Sequence, residues 1–155
     1  REILARDTVP RVERRGAQLI NRRHRCSITV PDHAELLPGV GPDAVFRFRL
    51  GQVFVHTGAI RPSQLRARLQ LWPQADVVED EKLFVDGLPA RMLLIQGVAA
   101  GRKLQSGWYL VETEDAVYRF HARGEELSAD VRQQLRAILE SFRAESADAS
   151  LARDP

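Results

Sequence analysis

The sequence predicts an α+β fold: a mainly antiparallel β-sheet covered by helices in an α/β/α sandwich. Three observations predict it. Short runs alternate apolar and polar residues with the period of two that a half-buried strand requires. Several runs are joined by two-residue glycine turns, at Gly51-Gln52 and Asp86-Gly87, which close hairpins rather than crossovers. Finally, few strand–helix–strand units occur, so the helices are left to cover a sheet made of neighbouring strands.

Residues 1–25 read as a basic N-terminal arm or linker. Pro10 and Gly16 break any long helix there, leaving at most short helical pieces. Residues 26–143 are expected as one α+β domain, and residues 144–155 as a polar C-terminal tail. The domain opens with a β-branched strand, "CSITV", ended by Pro31, and the proline- and glycine-rich "PDHAELLPGVGPD" reads as a loop. In "AVFRFRLGQVFVH", Phe46, Phe48 and Leu50 share one face and Arg47 and Arg49 the other, on either side of the Gly51-Gln52 turn.

A helix is expected from Pro62 or Ser63 to Pro73, with Leu65, Leu69 and Trp72 on one stripe. The acidic residues 76–82 follow, with Val77 and Val78 in an edge strand. After the Asp86-Gly87 turn, residues 88–96 are apolar at nearly every position, which predicts a central strand covered on both faces. Residues 103–112 and 116–123 pair through a turn at Glu114-Asp115. In the second of these, Ala116, Tyr118, Phe120 and Ala122 point one way and Val117, Arg119 and His121 the other. Ser128 caps a final helix whose Val131, Leu135, Ile138, Leu139 and Phe142 form a stripe that must dock on the sheet.

Composition narrows the function classes. The chain has 155 residues, 44% of them hydrophobic, enough for a sizeable core and too apolar for a disordered segment. Cys26 is the sole cysteine, so no internal disulfide forms. No apolar run approaches the ~20 residues of a membrane-spanning helix. The chain begins at Arg1 rather than methionine, so a leader or anchor upstream is compatible with it. Residues 1–26 hold eight arginines against Glu2, Asp7 and Glu13, whereas the whole chain carries only +2; the remainder is net acidic.

In "GVAAGRKLQSG" the glycines are one residue too close for a phosphate loop, and a strand follows where a helix N-terminus is needed. A flexible basic hairpin loop is the expectation, with Arg102 and Lys103 available to an acidic partner. Four histidines, His24, His33, His56 and His121, form no metal-ligand pattern, and no metal or other cofactor is expected. His56 and His121 both sit late in strands, and whether they converge is left open. Neither Ser27 nor Ser106 lies in a nucleophile elbow, and Cys26 lies in a strand where thiols are usually buried and inert. Nucleic acid is disfavoured: residues 1–45 contain no aromatic for base stacking, and the body is acidic. The arm suits an anionic membrane surface better.

Three segments, "VDGLPARMLLIQG", "SGWYLVETEDAVYRF" and "LRAILESFR", together resemble the PsbP/DcrB-like superfamily. The matching motifs are Gly87–Ala90, Val117–Phe120 and Ile138–Phe142; "CSITVP" resembles the opening strand without its usual following tryptophan. The resemblance covers about residues 24–143 and rests on core positions. It implies an antiparallel sheet between helices and a non-catalytic accessory role, as in photosystem extrinsic subunits, envelope lipoproteins, a GTPase-binding import factor and secretion chaperones. The expected function is therefore a protein-binding module of a bacterial envelope or secretion assembly, on the periplasmic side. The alternatives are a cytoplasmic chaperone for a secreted effector and a small ligand-binding protein or enzyme. Arg47, Arg49, Arg102, Trp108 and Arg119 are the expected exposed partner contacts, although Trp108 equally suits the core. Oligomeric state is not legible.

Overall fold

The computed structural model describes residues 12–22, 25–37, 47–70, 75–114 and 116–144. Its strands are Val12–Arg15 (β1), Gln18–Asn21 (β2), Cys26–Thr29 (β3), Glu35–Leu37 (β4), Arg47–Leu50 (β5) and Val53–Ile60 (β6). Then come Asp76–Val85 (β7), Leu88–Ala99 (β8), Arg102–Glu112 (β9), Val117–Gly124 (β10) and Arg143–Ala144 (β11). The helices are Pro62–Gln70 (α1) and Ala129–Glu140 (α2). One sheet runs β1-β2-β3-β11 and the other β4-β5-β6-β10-β9-β8-β7. Every pairing is antiparallel.

The turns follow from local chemistry. Gly51 adopts φ +61° where β5 turns into β6, a conformation that costs an L side chain but not glycine. Asp86 and Gly87, at φ +53° and +76°, close β7 onto β8 as the two positive-φ residues of a tight hairpin. Ala100 and Gly101 repeat those angles between β8 and β9, with Ala99 opposite Arg102. Strands therefore run right up to this turn: the expected flexible basic loop is a two-residue hairpin.

Two further segments differ from the sequence reading. Residues 12–21, read as part of a basic arm with short helical pieces, form the β1–β2 hairpin, and β2 pairs with β3. Leu19 is buried in the main core, and Gly16 at φ +59° makes the same kind of turn as Gly51. Glu13 binds both Arg15 and Arg22, which hold its carboxyl below the usual carboxylate range, so part of the arm's charge is neutralised locally. The second difference is Glu35–Leu37, read as loop, which is the edge strand β4. Leu36 lies opposite Phe48 and packs on the core, and Glu35 opposite Arg49 makes an ion pair. Three residues between prolines are too few for an alternation to be recognised.

The seven-stranded sheet separates two apolar layers. Its inner face carries Phe48, Val55, Tyr109, Val111, Phe120 and Ala122, all buried in the main core. Leu135, Ile138 and Leu139 of α2 and Phe142 beyond it close over this face, joined by Leu19 and Ile28 from the small sheet. Ser128 Oγ accepts the Val131 N–H and caps α2, as its sequence position predicts. Where the sheets meet, the buried Tyr118 hydroxyl hydrogen-bonds with Asn21, Cys26 and Thr57, joining β2, β3, β6 and β10. Burial pushes the Cys26 thiol up to about 12, an inert rather than a nucleophilic sulfur. Among the described residues, the outer face is covered over one part, where Leu65 of α1 packs on Ile60, Leu93, Ile95, Trp108, Leu110 and Val117. Leu69 and Trp72 of the expected helix stripe lie outside the described side chains, as do the ends of the chain and Asp115 of the turn between β9 and β10.

Candidate functional site

Beside the part under α1, the outer face is built by three neighbouring strands. Strand β5 contributes Arg47, β6 contributes Phe54 and His56, and β10 contributes Arg119, His121 and Arg123. Alternation puts these residues on one face, because the intervening Phe48, Val55, Phe120 and Ala122 fill the core. Register then brings them together: His56 is opposite Arg47 on one side and opposite His121 on the other. The six side chains line an open cavity of about 440 Å³. His56 and His121, whose convergence the sequence left open, are direct cross-strand neighbours.

The floor of the cavity is rigid. The Trp108 ring stacks on the His121 imidazole, with centroids 3.9 Å apart and planes 14° from parallel. His121 Nε2 is 2.6 Å from the buried Ser106 hydroxyl, which pins the ring from the adjacent strand. The Arg119 guanidinium carbon lies 5.9 Å from the Trp108 centroid, within cation–π reach. At the rim, Phe54 is 46% exposed, a large apolar ring standing in water beside cations.

The electrostatics are one-sided. Three arginines and two histidines line the cavity, and among the described residues no carboxylate does. His56 is held below the usual imidazole value first by desolvation and then by repulsion from Arg47, Arg119 and Arg123. The Ser106–His121 contact resembles half of a nucleophilic pair. However, no carboxylate among the lining residues orients the imidazole, and the serine is itself buried beneath the ring. The arrangement suits binding an anion better than activating a hydroxyl.

The expected contacts fare unequally. Arg47 lines the cavity, while Arg49 beside it is engaged by Glu35. Arg102 stands at the far end of β9 by the Ala100-Gly101 turn, exposed, with Glu125 3.8 Å away. Trp108 and Arg119 were expected to be exposed; each is only 6% exposed. The physical reason is that α1 brings apolar cover to Trp108, and the Trp108 face then shields Arg119. Phe54 and Arg123 were missed. The signal for Arg123 was present in "VYRFHARG", where it continues the Arg119, His121 alternation by one more step. Among the described residues, no group of three or more histidine, cysteine or carboxylate side chains forms a metal-binding cluster.

Known proteins match this chain in shape and not in sequence. No protein-family model matches it, and no curated protein matches it in sequence. A Bacteroides thetaiotaomicron crystal structure superposes with a TM-score of 0.58 at 11% identity, over 87% of this chain and 50% of that one. This chain thus spans half the length of the Bacteroides protein. Cyanobacterial PsbP (CyanoP) from Synechocystis sp. PCC 6803 superposes with a TM-score of 0.55 at 13% identity, over 88% of this chain and 94% of its own. The Pseudomonas aeruginosa protein PA94, of unknown function, gives 0.50 at 13% identity, over 88% and 97%. At such identities the likeness speaks for the fold alone, and it agrees with the motifs at Gly87–Ala90, Val117–Phe120 and Ile138–Phe142. The chain has the PsbP/DcrB-like fold, an antiparallel sheet sandwiched between helical layers.

Proposed function

We propose that this chain is a non-catalytic accessory module of a bacterial envelope or secretion assembly. It holds a protein partner against the part of its outer sheet face beside α1. The observation that carries this reading is the cavity lined by Arg47, His56, Arg119, His121 and Arg123, in which Arg47 and the exposed Arg123 pair with no carboxylate among the described residues. Such a surface attracts acidic segments and steers their approach. The PsbP-like fold supports an accessory role, and the arginine-rich N-terminal residues suit a position beside an anionic membrane surface. A second reading, a small ligand-binding protein, is favoured by the convergence of His56 and His121 in one depression.

Affinity capture from host envelope extract tests the first reading. The R47A/R123A double variant is expected to lose the acidic partner that wild type retains, with the melting temperature unchanged. Equal retention by both proteins overturns it.

A further inference from the structure

We propose that the outer-face cavity is a phosphoryl-binding site: Arg47, Arg119, Arg123, His56 and His121 surround a dianionic phosphate monoester whose organic part lies on Phe54. The inference rests on the outer face being the binding surface, but not on the partner there being a protein.

Charge accounting leads to the dianion. Elsewhere on the strands and on α2, several arginines are paired with carboxylates: Glu35 with Arg49, Asp80 with Arg91, Glu79 with Arg132 and Glu81 with Arg136. Among the described residues no carboxylate pairs with Arg47 or Arg123, although both lie beside further cations. The Arg47 Nε is buried and has no acceptor among the described residues, an arrangement that costs free energy until an acceptor arrives. A single carboxylate leaves one of these two charges uncompensated. A phosphate monoester carries about −1.5 to −2 at neutral pH and offers three acceptor oxygens.

Preorganisation points the same way. Arg119 is buried against Trp108, and His121 is fixed by Trp108 and Ser106, so these groups lose little freedom when a ligand binds. The exposed Phe54 ring adds an apolar contact that a bare inorganic ion would not use. Burial first, and then repulsion from Arg47, Arg119 and Arg123, holds His56 below the usual imidazole value, and an anion placed among them relieves the repulsion.

Titration of the histidine ring resonances by NMR, with calorimetry, tests the assignment on the whole chain using phenyl phosphate, inorganic phosphate and benzoate. Phenyl phosphate is expected to saturate one site, to move His56 and His121, and to bind at least about tenfold tighter than benzoate. R47Q/R123Q is expected to weaken it about a hundredfold. If that variant misfolds, R123Q at the exposed rim alone is expected to cost about tenfold. A wild-type protein that shows no saturable response, a variant that binds equally, or benzoate matching phenyl phosphate overturns the proposal. Inorganic phosphate binding as tightly as phenyl phosphate retains the phosphoryl site and overturns the role of Phe54. Phosphate binding without partner capture sinks only the protein-partner reading; capture that depends on Arg47 and Arg123 without phosphate binding sinks only this one.

Discussion

On the inner face of the seven-stranded sheet, Phe48, Val55, Tyr109, Phe120 and Ala122 meet Leu135, Ile138, Leu139 and Phe142. One residue along the same strands, on the outer face, stand Arg47, His56, Trp108, Arg119 and His121. The backbone and hydrogen-bond ladder are shared, so the difference lies in what covers each face. The inner face has a helix and a second sheet above it; α1 reaches only the part of the outer face around Leu65. A strand can thus fill a core with alternate residues and leave the rest available to water and ligands. The two sets of side chains answer to different constraints, packing on one side and charge on the other.

The comparison breaks most visibly at Phe120, which is fully buried at the centre of the inner face. Phe120→Ala is expected to cost about 3–5 kcal/mol of stability, because the removed ring leaves a cavity that α2 cannot fill. Chemical denaturation measures this, and a loss below about 1 kcal/mol would mean that the inner face is not the principal core. Leu110→Ala removes a buried side chain from the smaller outer cluster under α1. Its expected cost is about 2–3 kcal/mol, since a short helix can settle partway into the space. A cost equal to that of Phe120→Ala would erase the distinction between the two layers.

The smallest effect concerns acid. His56 faces Arg47, Arg119, His121 and Arg123, and its folded value lies below the unfolded one. The unfolded chain therefore binds more protons near pH 6, so this contribution to stability is present above pH 6.5 and is lost as pH falls through the folded value. The carboxylates paired with arginine, Glu13 and Asp80, titrate lower and act in a more acidic window. Between about pH 7.5 and 5.5, wild type is expected to lose more melting temperature than H56Q. Parallel pH profiles would show that the three arginines do not act on His56.

The legible parts of the fold were those whose signals are local. The turns at Gly51 and Asp86-Gly87 carry their own backbone preference, and the stripe from Val131 to Phe142 repeats with the helical period. The β1–β2 hairpin escaped because eight arginines dominate its surroundings, although Gly16 gives the same turn as Gly51 and Leu19 is the buried anchor. Strand β4 is too short for any period to be read. The site was half legible. Arg47, Arg119 and His121 could be placed on one face of their strands by alternation, but the burial of Arg119 and Trp108 required knowledge of what α1 covers.

Sequence alone determined the helices, the glycine turns and the two-sided character of the longer strands, because turn preferences and side-chain periodicity act within a few residues of one another. Tertiary structure decided which strands became neighbours, and hence that His56 of β6 faces His121 of β10 across 64 intervening positions of chain. It also decided which part of the outer face α1 covers. Those outcomes depend on packing between distant segments, where the free energy comes from joint burial and no single segment records it.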